Sequence, residues 1–192
     1  IDTAALSLSE AMVLAAGSLL DVEFNDLKGG YRLRYTDTRV YVDVFLFDSL
    51  SSGAGYSSML TDKIVELVQE TYQVLQCKSN CTTACHDCLK HYWNQRVHNR
   101  LDRIAAKQLL DWCTKEQLAS ELSFAKQLNI ITGIRETALL DADFVIKCSS
   151  EKMWIEKGNK KIRIYIYPAM WTRNNINIPE ECIAISDKIL LS

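Results

Sequence analysis

Four cysteines lie close together in the stretch Cys77-Lys-Ser-Asn-Cys81-Thr-Thr-Ala-Cys85-His-Asp-Cys88. Thiolate sulfur is a preferred ligand of zinc, and four thiolates complete the tetrahedral shell of one ion without leaving an open position. A closed site of this kind builds structure and leaves no position for a substrate. The stretch therefore predicts a zinc knuckle whose ligands are Cys77, Cys81, Cys85 and Cys88.

Other uses of these cysteines remain open at the level of sequence. Disulfides require an oxidising compartment, whereas the chain shows no apolar leader and has an odd total of seven cysteines, so a reducing cytosol is expected. An iron–sulfur cluster also takes four thiolates. The last three cysteines reproduce the C-x3-C-x2-C spacing of radical-SAM enzymes, but they follow a long predicted helix and have a fourth cysteine upstream. One of three histidines could also replace a cysteine as ligand (His86, His91, His98).

Length and charge limit the possible classes of protein. The 192 residues can form one domain, or one domain with a small appendage, and no apolar run approaches the roughly 20 residues that span a bilayer. The net charge of −2 argues against a dedicated nucleic-acid binder. Residues 147–173, however, contain seven basic and two acidic side chains, which predicts either a basic surface or an ordinary solvated face. Because the chain begins with Ile1, we expect it to be a piece of a longer polypeptide.

Apolar spacing predicts three helices before residue 130. Ser7-Leu8-Ser9-Glu10 has the form of a capping box, which predicts a helix over residues 7–20. A second helix is predicted through residues 60–75, ending just before the knuckle. A third is expected to begin after Asp102 as its N-cap, to pack on the knuckle with its first turn, and to run toward Lys126.

Alternating and β-branched segments predict two groups of strands. Residues 22–24 and 31–35 flank Gly29-Gly30 and predict a hairpin, and the apolar segment 40–47 predicts a strand covered on both faces. The glycine-rich turn at 48–56 that follows is either a tight structural turn or a weak anion site. C-terminal strands are predicted at 144–148, 152–156, 161–167 and 182–185, with turns at 158–159 and 174–175.

These patterns predict an α+β fold, a mixed helix/strand domain with a four-cysteine zinc knuckle and a small β-rich C-terminal unit. The predicted domain boundaries are 1–128 and 129–192. In the second unit, Asp143, Glu156 and Lys157 could belong to a divergent nuclease. Neighbouring residues of a strand point to opposite faces, however, so Glu156 and Lys157 cannot both face one metal ion.

The stretch after the knuckle mixes aromatic and basic side chains, a combination that stacks on bases and grips phosphates. We therefore consider Tyr92, Trp93, Arg96 and Arg100 as candidate nucleic-acid-binding residues. The competing interpretation is that they pack on the knuckle or on a neighbouring domain.

The order of these features resembles the MrfA-like zinc-binding domain. The likeness covers roughly residues 1–120. It rests on the strand into Asp48, the Gly53-Ala54-Gly55-Tyr56 turn, the four-cysteine knuckle and the run Asn94-Gln95-x-x-His98-x-x-Leu101-Asp102-Arg103. That family occurs at the C-terminus of superfamily-two DNA helicases and in anti-phage defence proteins such as those of the DISARM and Druantia systems. The resemblance implies zinc on the four cysteines and a role in supporting a DNA-translocating motor.

The sequence thus predicts a cytoplasmic, non-catalytic, zinc-stabilised C-terminal module that supports or guides nucleic acid in a DNA helicase or an anti-phage defence protein. Its expected partners are DNA and upstream helicase motor domains or a defence-complex subunit, with no membrane. Two alternatives remain: an iron–sulfur or nuclease-type enzyme domain, and a pure protein–protein adaptor.

Overall fold

The computed structural model describes residues 1–23, 25–37, 40–49, 53–138, 144–168, 170–171, 179 and 181–187. The chain divides into two compact units, Ile1–Gln117 and Leu118–Ser192. Helices and two separate sheets make the fold α+β, as predicted. The predicted domain boundary at 128/129 falls inside a helix of the second unit, Phe124–Ala138.

The first unit is built on one long helix. Its elements are α1 (Asp2–Leu20), β1 (Leu27–Tyr35), β2 (Val40–Asp48), α2 (Tyr56–Met59), α3 (Ile64–Leu75), a 3₁₀ helix (Tyr92–Arg100) and α4 (Arg103–Lys115). Helix α1 packs against β1, α3 and α4. Its buried positions are mostly alanines, namely Ala4, Ala5, Ala11, Ala15 and Ala16. Small side chains allow the neighbouring elements to approach closely, so α1 is the centre of this unit.

The predicted capping box at residues 7–10 is wrong. Helix α1 begins at Asp2 with Ile1 as its N-cap, so Ser7 and Ser9 lie inside the helix and are buried. The Ser7 hydroxyl accepts a hydrogen bond of 2.8 Å from the backbone N–H of Asp102. Local pattern alone could not distinguish a capping serine from a buried serine that binds a distant segment.

The first sheet also differs from the prediction. Gly29 and Gly30 do not form a turn but lie inside β1, which pairs antiparallel with β2 from Leu27↔Asp48 to Tyr35↔Val40. A Cβ atom at Gly29 would lie 2.5 Å from the Ser9 hydroxyl, so glycine here lets α1 approach the strand. The strand at 40–47 is not covered on both faces, because side chains on the face away from α1 remain about half exposed.

The helix predicted to continue to Lys126 ends earlier. Helix α4 starts with Asp102, whose carboxylate accepts hydrogen bonds of 2.9 Å from the N–H groups of Ile104 and Ala105, which confirms the predicted N-cap. It ends at Lys115, where Glu116 adopts φ 54° and turns the chain out of the helix. Helices commonly end at a residue in the left-handed conformation. Such an end can be predicted from sequence when the residue is glycine or asparagine, but not when it is glutamate.

The glycine-rich turn before α2 is occupied by the protein's own carboxylate. Asp48 accepts hydrogen bonds of 2.9 Å from the backbone N–H groups of Gly55 and Ser57. Gly53 and Gly55 have φ of 65° and 82°, which glycine adopts at little cost. The structure therefore supports the tight-turn interpretation over the anion site.

The second unit contains α5 (Phe124–Ala138), β3 (Phe144–Ser149), β4 (Lys152–Lys157), β5 (Lys160–Tyr167) and β6 (Cys182–Ser186). The four predicted strands are confirmed, and they form one sheet in the order β3-β4-β5-β6, with β5 and β6 parallel. A turn at 158–159 joins β4 to β5, whereas the turn predicted at 174–175 lies outside the described residues. The core of this unit consists of Ile131, Ile146, Met153, Ile164 and Ile166.

Helix α1 is long and apolar enough to cross a membrane by length and composition alone. Half of its most apolar window is nevertheless buried within the structure, and its polar residues Ser7 and Glu10 bond to distant segments. This is the environment of a core helix.

The Ser7 contact can be tested by mutation. Ser7→Ala removes the acceptor for the buried Asp102 N–H, and we expect the free energy of unfolding to fall by about 1–3 kcal/mol in urea denaturation. The matched control is Ser18→Ala, on the exposed side of α1, which should change it by less than about 0.5 kcal/mol. Equal effects of the two substitutions would contradict the assigned role.

Candidate metal centre

Two tight turns present the four cysteines to one another. Helix α3 ends at Leu75, and a first turn follows in which Asn80 N–H donates to the Cys77 carbonyl over 3.0 Å with Asn80 at φ 46°. In the second turn, the N–H groups of Cys88 and Lys90 both donate to the Cys85 carbonyl. Each turn contributes a cysteine at its start and another at or just after its end, which explains the spacing found in the sequence.

The sulfur atoms lie at the separations expected around one tetrahedral ion. All four Sγ atoms are within 4.8 Å of one another. The closest pairs are Cys77–Cys85 at 3.4 Å, Cys81–Cys88 at 3.6 Å and Cys85–Cys88 at 3.9 Å. Metal–sulfur bonds of about 2.3 Å in a tetrahedron place the sulfurs about 3.8 Å apart. The geometry therefore fits a single metal ion.

The same distances argue against the other uses of the cysteines. A disulfide requires a sulfur–sulfur distance of about 2.05 Å, and all four cysteines are free thiols. In an iron–sulfur cluster the four thiolates are divided among two or more iron atoms with sulfide between them, so they do not surround one point. The sulfur positions therefore favour a single metal ion over disulfides or an iron–sulfur cluster.

The pKa values of the thiols are shifted in different directions. A hydrogen bond from the backbone of Cys81 lowers the pKa of the Cys77 thiol to about 6. Burial raises the pKa of the Cys88 thiol to about 12. One sulfur is thus ready to act as a thiolate, while the complete set requires a cation to offset four negative charges at close range.

The side chain of Arg103 holds the first turn of the knuckle through three hydrogen bonds. Its Nε donates to the Cys81 carbonyl at 2.8 Å, its Nη1 to the Leu75 carbonyl at 3.2 Å and its Nη2 to Asn80 Oδ1 at 3.1 Å. The residue is 8% exposed, and no carboxylate is paired with it among the described side chains. Four thiolates around a divalent ion carry a net charge of about −2. Arg103 therefore supplies both the hydrogen bonds that hold the turn and a buried positive charge beside it.

Asn94 connects the end of the knuckle to α1. Its side-chain amide donates to Glu10 Oε2 and to the Leu89 carbonyl, both at 2.8 Å, and its oxygen accepts from His91 N–H at 2.9 Å. His98 Nε2 lies 2.8 Å from the same oxygen and 3.1 Å from the His91 carbonyl. Since both neighbours are acceptors, His98 carries its proton on Nε2. These polar residues form a partly buried network beside the knuckle and do not belong to the cluster of four sulfur atoms.

Comparison with known proteins identifies the matching family. Residues 8–89 match the MrfA Zn-binding domain family. The resemblance stated from the sequence is confirmed. The chain is also 29% identical over 179 residues to the Druantia protein DruE of Escherichia coli (strain UMEA 4076-1), covering 90% of this chain and 10% of that protein. The chain thus spans about a tenth of the length of this curated relative, and no solved structure matches it.

The MrfA Zn-binding segment begins in α1 and ends at Leu89, and Asn94 ties its two ends together by bonding to Glu10 and to the Leu89 carbonyl. Of the residues that brace the knuckle from outside this segment, the sequence suggests a role only for His98, as a possible zinc ligand. Arg103 follows a recognisable N-cap, and Asn94 and His98 are part of the quoted motif, but their partners lie far away in the chain. Only the tertiary structure shows what they contact.

The four candidate nucleic-acid-binding residues fall on the 3₁₀ helix. Tyr92 and Trp93 are 73% and 59% exposed, with ring centroids 5.2 Å apart at 86°. Arg96 is exposed. Arg100 is already engaged, because its Nη2 donates to Asp2 at 2.8 Å and to the Tyr31 hydroxyl at 3.2 Å. All four side chains are exposed to solvent, and Arg100 in addition bonds to Asp2 at the start of α1.

The candidate nuclease residues do not assemble among the described residues. Asp143 lies outside the described ranges. Glu156 is ion-paired with Lys147 at 2.6 Å and with Lys161 at 3.5 Å, and these contacts lower the pKa of its carboxyl. A carboxylate held by two lysines is poorly suited to binding a metal ion.

The brace formed by Arg103 predicts a stability effect. Arg103→Lys keeps the charge but loses the planar fork that reaches three acceptors, so at least one buried carbonyl loses its donor. We expect the free energy of unfolding to fall by about 1–3 kcal/mol in chemical denaturation. Arg96→Lys, at an exposed position, is the matched control and should be nearly neutral. A neutral Arg103→Lys would show that the guanidinium contacts do not stabilise the turn.

Proposed function

We propose that this chain is a non-catalytic, zinc-stapled module of a larger anti-phage defence protein with a DNA helicase motor, and that it guides DNA for that motor. The observation that carries the proposal is the convergence of four thiol sulfurs within 4.8 Å in a loop without regular secondary structure. The match to a Zn-binding domain family and the likeness to a Druantia protein support it.

Zinc is the ion best suited to this donor set. It has no preferred geometry of its own, accepts four thiolates in a tetrahedron and undergoes no redox change. Four sulfur ligands leave no open position, so the ion has a structural role. Structural zinc in small domains contributes a free energy of about 10 kcal/mol or more, enough to offset the cost of ordering the knuckle.

The zinc proposal is tested by metal analysis and thermal melting. We expect one equivalent of zinc per chain, a colourless solution, and a large fall in the melting temperature when a chelator is added. Cys81→Ser/Cys88→Ser should lower zinc content and stability, because it removes two ligands. Cys113→Ser/Cys148→Ser is the matched control, since both cysteines are exposed and lie outside the cluster.

Two results would contradict the zinc proposal. Unchanged melting and metal content in the Cys81/Cys88 variant would exclude a structural ion on these cysteines. A brown protein with absorption near about 400 nm would indicate iron–sulfur chemistry instead.

Guidance of DNA is proposed for the surface formed by Tyr92, Trp93 and Arg96. Two exposed aromatic rings beside an exposed guanidinium can stack on bases and contact phosphate. The knuckle and the Asn94 network fix the start of this 3₁₀ helix, so the surface is held in place by the zinc-stapled loop. Arg100 supports the surface through Asp2.

DNA binding by this surface predicts a salt-dependent affinity. Trp93→Ala/Arg96→Ala should weaken binding of a labelled DNA oligonucleotide by about tenfold or more in fluorescence anisotropy, and should reduce the slope of log affinity against log salt concentration by about 1. Trp112→Ala is the control, because this tryptophan is 48% exposed and belongs to α4 rather than to the 3₁₀ helix. Absence of DNA binding by the wild-type chain in low salt would contradict DNA guidance by this surface and favour the alternative of a protein–protein adaptor.

The parent protein and its setting follow from the same proposal. The matched relative is about ten times as long as the aligned segment, so motor domains or a defence-complex subunit are the proposed partners. A reduced four-cysteine site is compatible with the cytoplasm, which we propose as its location.

A further inference from the structure

The sheet formed by β1 and β2 has a second aromatic surface that no role above explains. Helix α1 covers one face of this sheet, where Gly29 meets Ser9. The opposite face presents the alternate residues of both strands. We call it the aromatic face, and it consists of Lys28, Gly30, Arg32 and Arg34 on β1 and Tyr41, Asp43, Phe45 and Phe47 on β2.

Three aromatic side chains of this face are open to solvent. Tyr41, Phe45 and Phe47 are 42%, 47% and 44% exposed. The rings of Phe45 and Phe47 have centroids 6.2 Å apart and are tilted by 36°. Exposed phenylalanines at alternate positions of one strand form an apolar surface of the kind that marks an interaction site.

The Phe45 ring occupies space that a glycine leaves open. A Cβ atom at Gly30, directly across the strand pair, would lie 2.5 Å from Phe45 Cε2 and 2.7 Å from Cζ. The ring therefore lies over the backbone of Gly30, in space that any other residue would fill. The residue nevertheless remains 47% exposed, so part of the ring is available to a partner.

Basic side chains lie on β1, beside the rings of β2. Arg32 and Arg34 both bond to Asp43, at 3.0 Å and 2.8 Å, yet their side chains remain 68% and 53% exposed. The guanidinium of Arg34 lies 5.2 Å from the centre of the Tyr41 ring. Lys28 is exposed opposite Phe47. The face therefore has three cations and one anion.

The arginines are kept in place by their shared carboxylate. Hydrogen bonds from Arg34 and then Arg32 lower the pKa of Asp43 to about 2, so it stays ionised at neutral pH. Each guanidinium has five N–H groups, of which Asp43 receives two from each. Both arginines thus keep further donors for an anionic ligand.

From this arrangement we propose that the aromatic face binds single-stranded nucleic acid, with bases stacked on Phe45 and Phe47 and phosphates contacted by Lys28, Arg32 and Arg34. A row of rings on β2 beside a row of cations on β1 matches a strand whose bases extend to one side of its charged backbone. In a duplex the faces of the bases are hidden within the stack, so a single strand fits better. A protein partner without acidic groups would leave the remaining guanidinium donors without an anionic acceptor. The inference uses residues distinct from those of the proposed function and stands independently of it.

The test measures binding of a fluorescent oligothymidylate to the 192-residue chain by anisotropy at low salt. Phe45→Ala/Phe47→Ala should weaken binding by at least about tenfold, as expected for the loss of stacked bases. Phe45→Leu/Phe47→Leu, which keeps an apolar surface without a ring, should weaken it to a similar extent. Phe45→Tyr/Phe47→Tyr should bind like the wild type, and a duplex of the same length should bind more weakly than the single strand.

The controls separate this proposal from misfolding and from the proposed function. Val65→Ala changes an exposed apolar residue on α3 (63% exposed) and should leave binding unchanged, and circular dichroism checks that every variant is folded. Wild-type affinity in the alanine pair, or in the leucine pair, overturns the stacking proposal. If only Trp93→Ala/Arg96→Ala loses binding, DNA guidance by the 3₁₀ helix stands and the aromatic face has no part in it. No binding by the wild-type chain at low salt overturns the inference outright.

Discussion

The fold of the first unit depends on holding four sulfur atoms around one point in a stretch without regular secondary structure. Thiols at such short distances repel one another once ionised, and burial opposes ionisation of Cys88 in particular. A divalent cation would remove this conflict by taking all four sulfurs as ligands. The turns at Cys77 and Cys85 would then be fixed relative to α3, whose end leads directly into the first of them.

Around this centre, the protein uses buried polar residues as connectors. Arg103 bonds to the end of α3 and to the knuckle, Asn94 bonds to Glu10 and Leu89, and Ser7 accepts from the start of α4. Each of these contacts joins segments that are far apart in the chain. Because an unsatisfied buried polar group is costly, the network favours one arrangement of α1, the knuckle and α4 over other compact packings. Zinc at the knuckle would therefore stabilise more than the loop that holds it.

Two surfaces of this braced unit present aromatic rings beside basic groups. One lies on the 3₁₀ helix that follows the knuckle, and the other lies on the sheet face turned away from α1. In both, charged contacts hold a basic side chain in place, with Asp2 pairing Arg100 and Asp43 pairing Arg32 and Arg34. Rigid rings and oriented guanidinium groups lose little conformational entropy on binding.

The sequence by itself determined the elements that depend on local chemistry. The cysteine spacing predicted the cluster, Asp102 predicted the start of α4, and alternation predicted the strands of the C-terminal sheet, because each depends on residues near one another in the chain. Only the tertiary structure decided the rest. Ser7 has the pattern of a cap but is a buried hydrogen-bond acceptor, Gly29-Gly30 looks like a turn but lets α1 and Phe45 approach β1, and Arg103 gives no hint of its three acceptors. In each case the deciding partner lies in a distant segment, which no local periodicity can reveal.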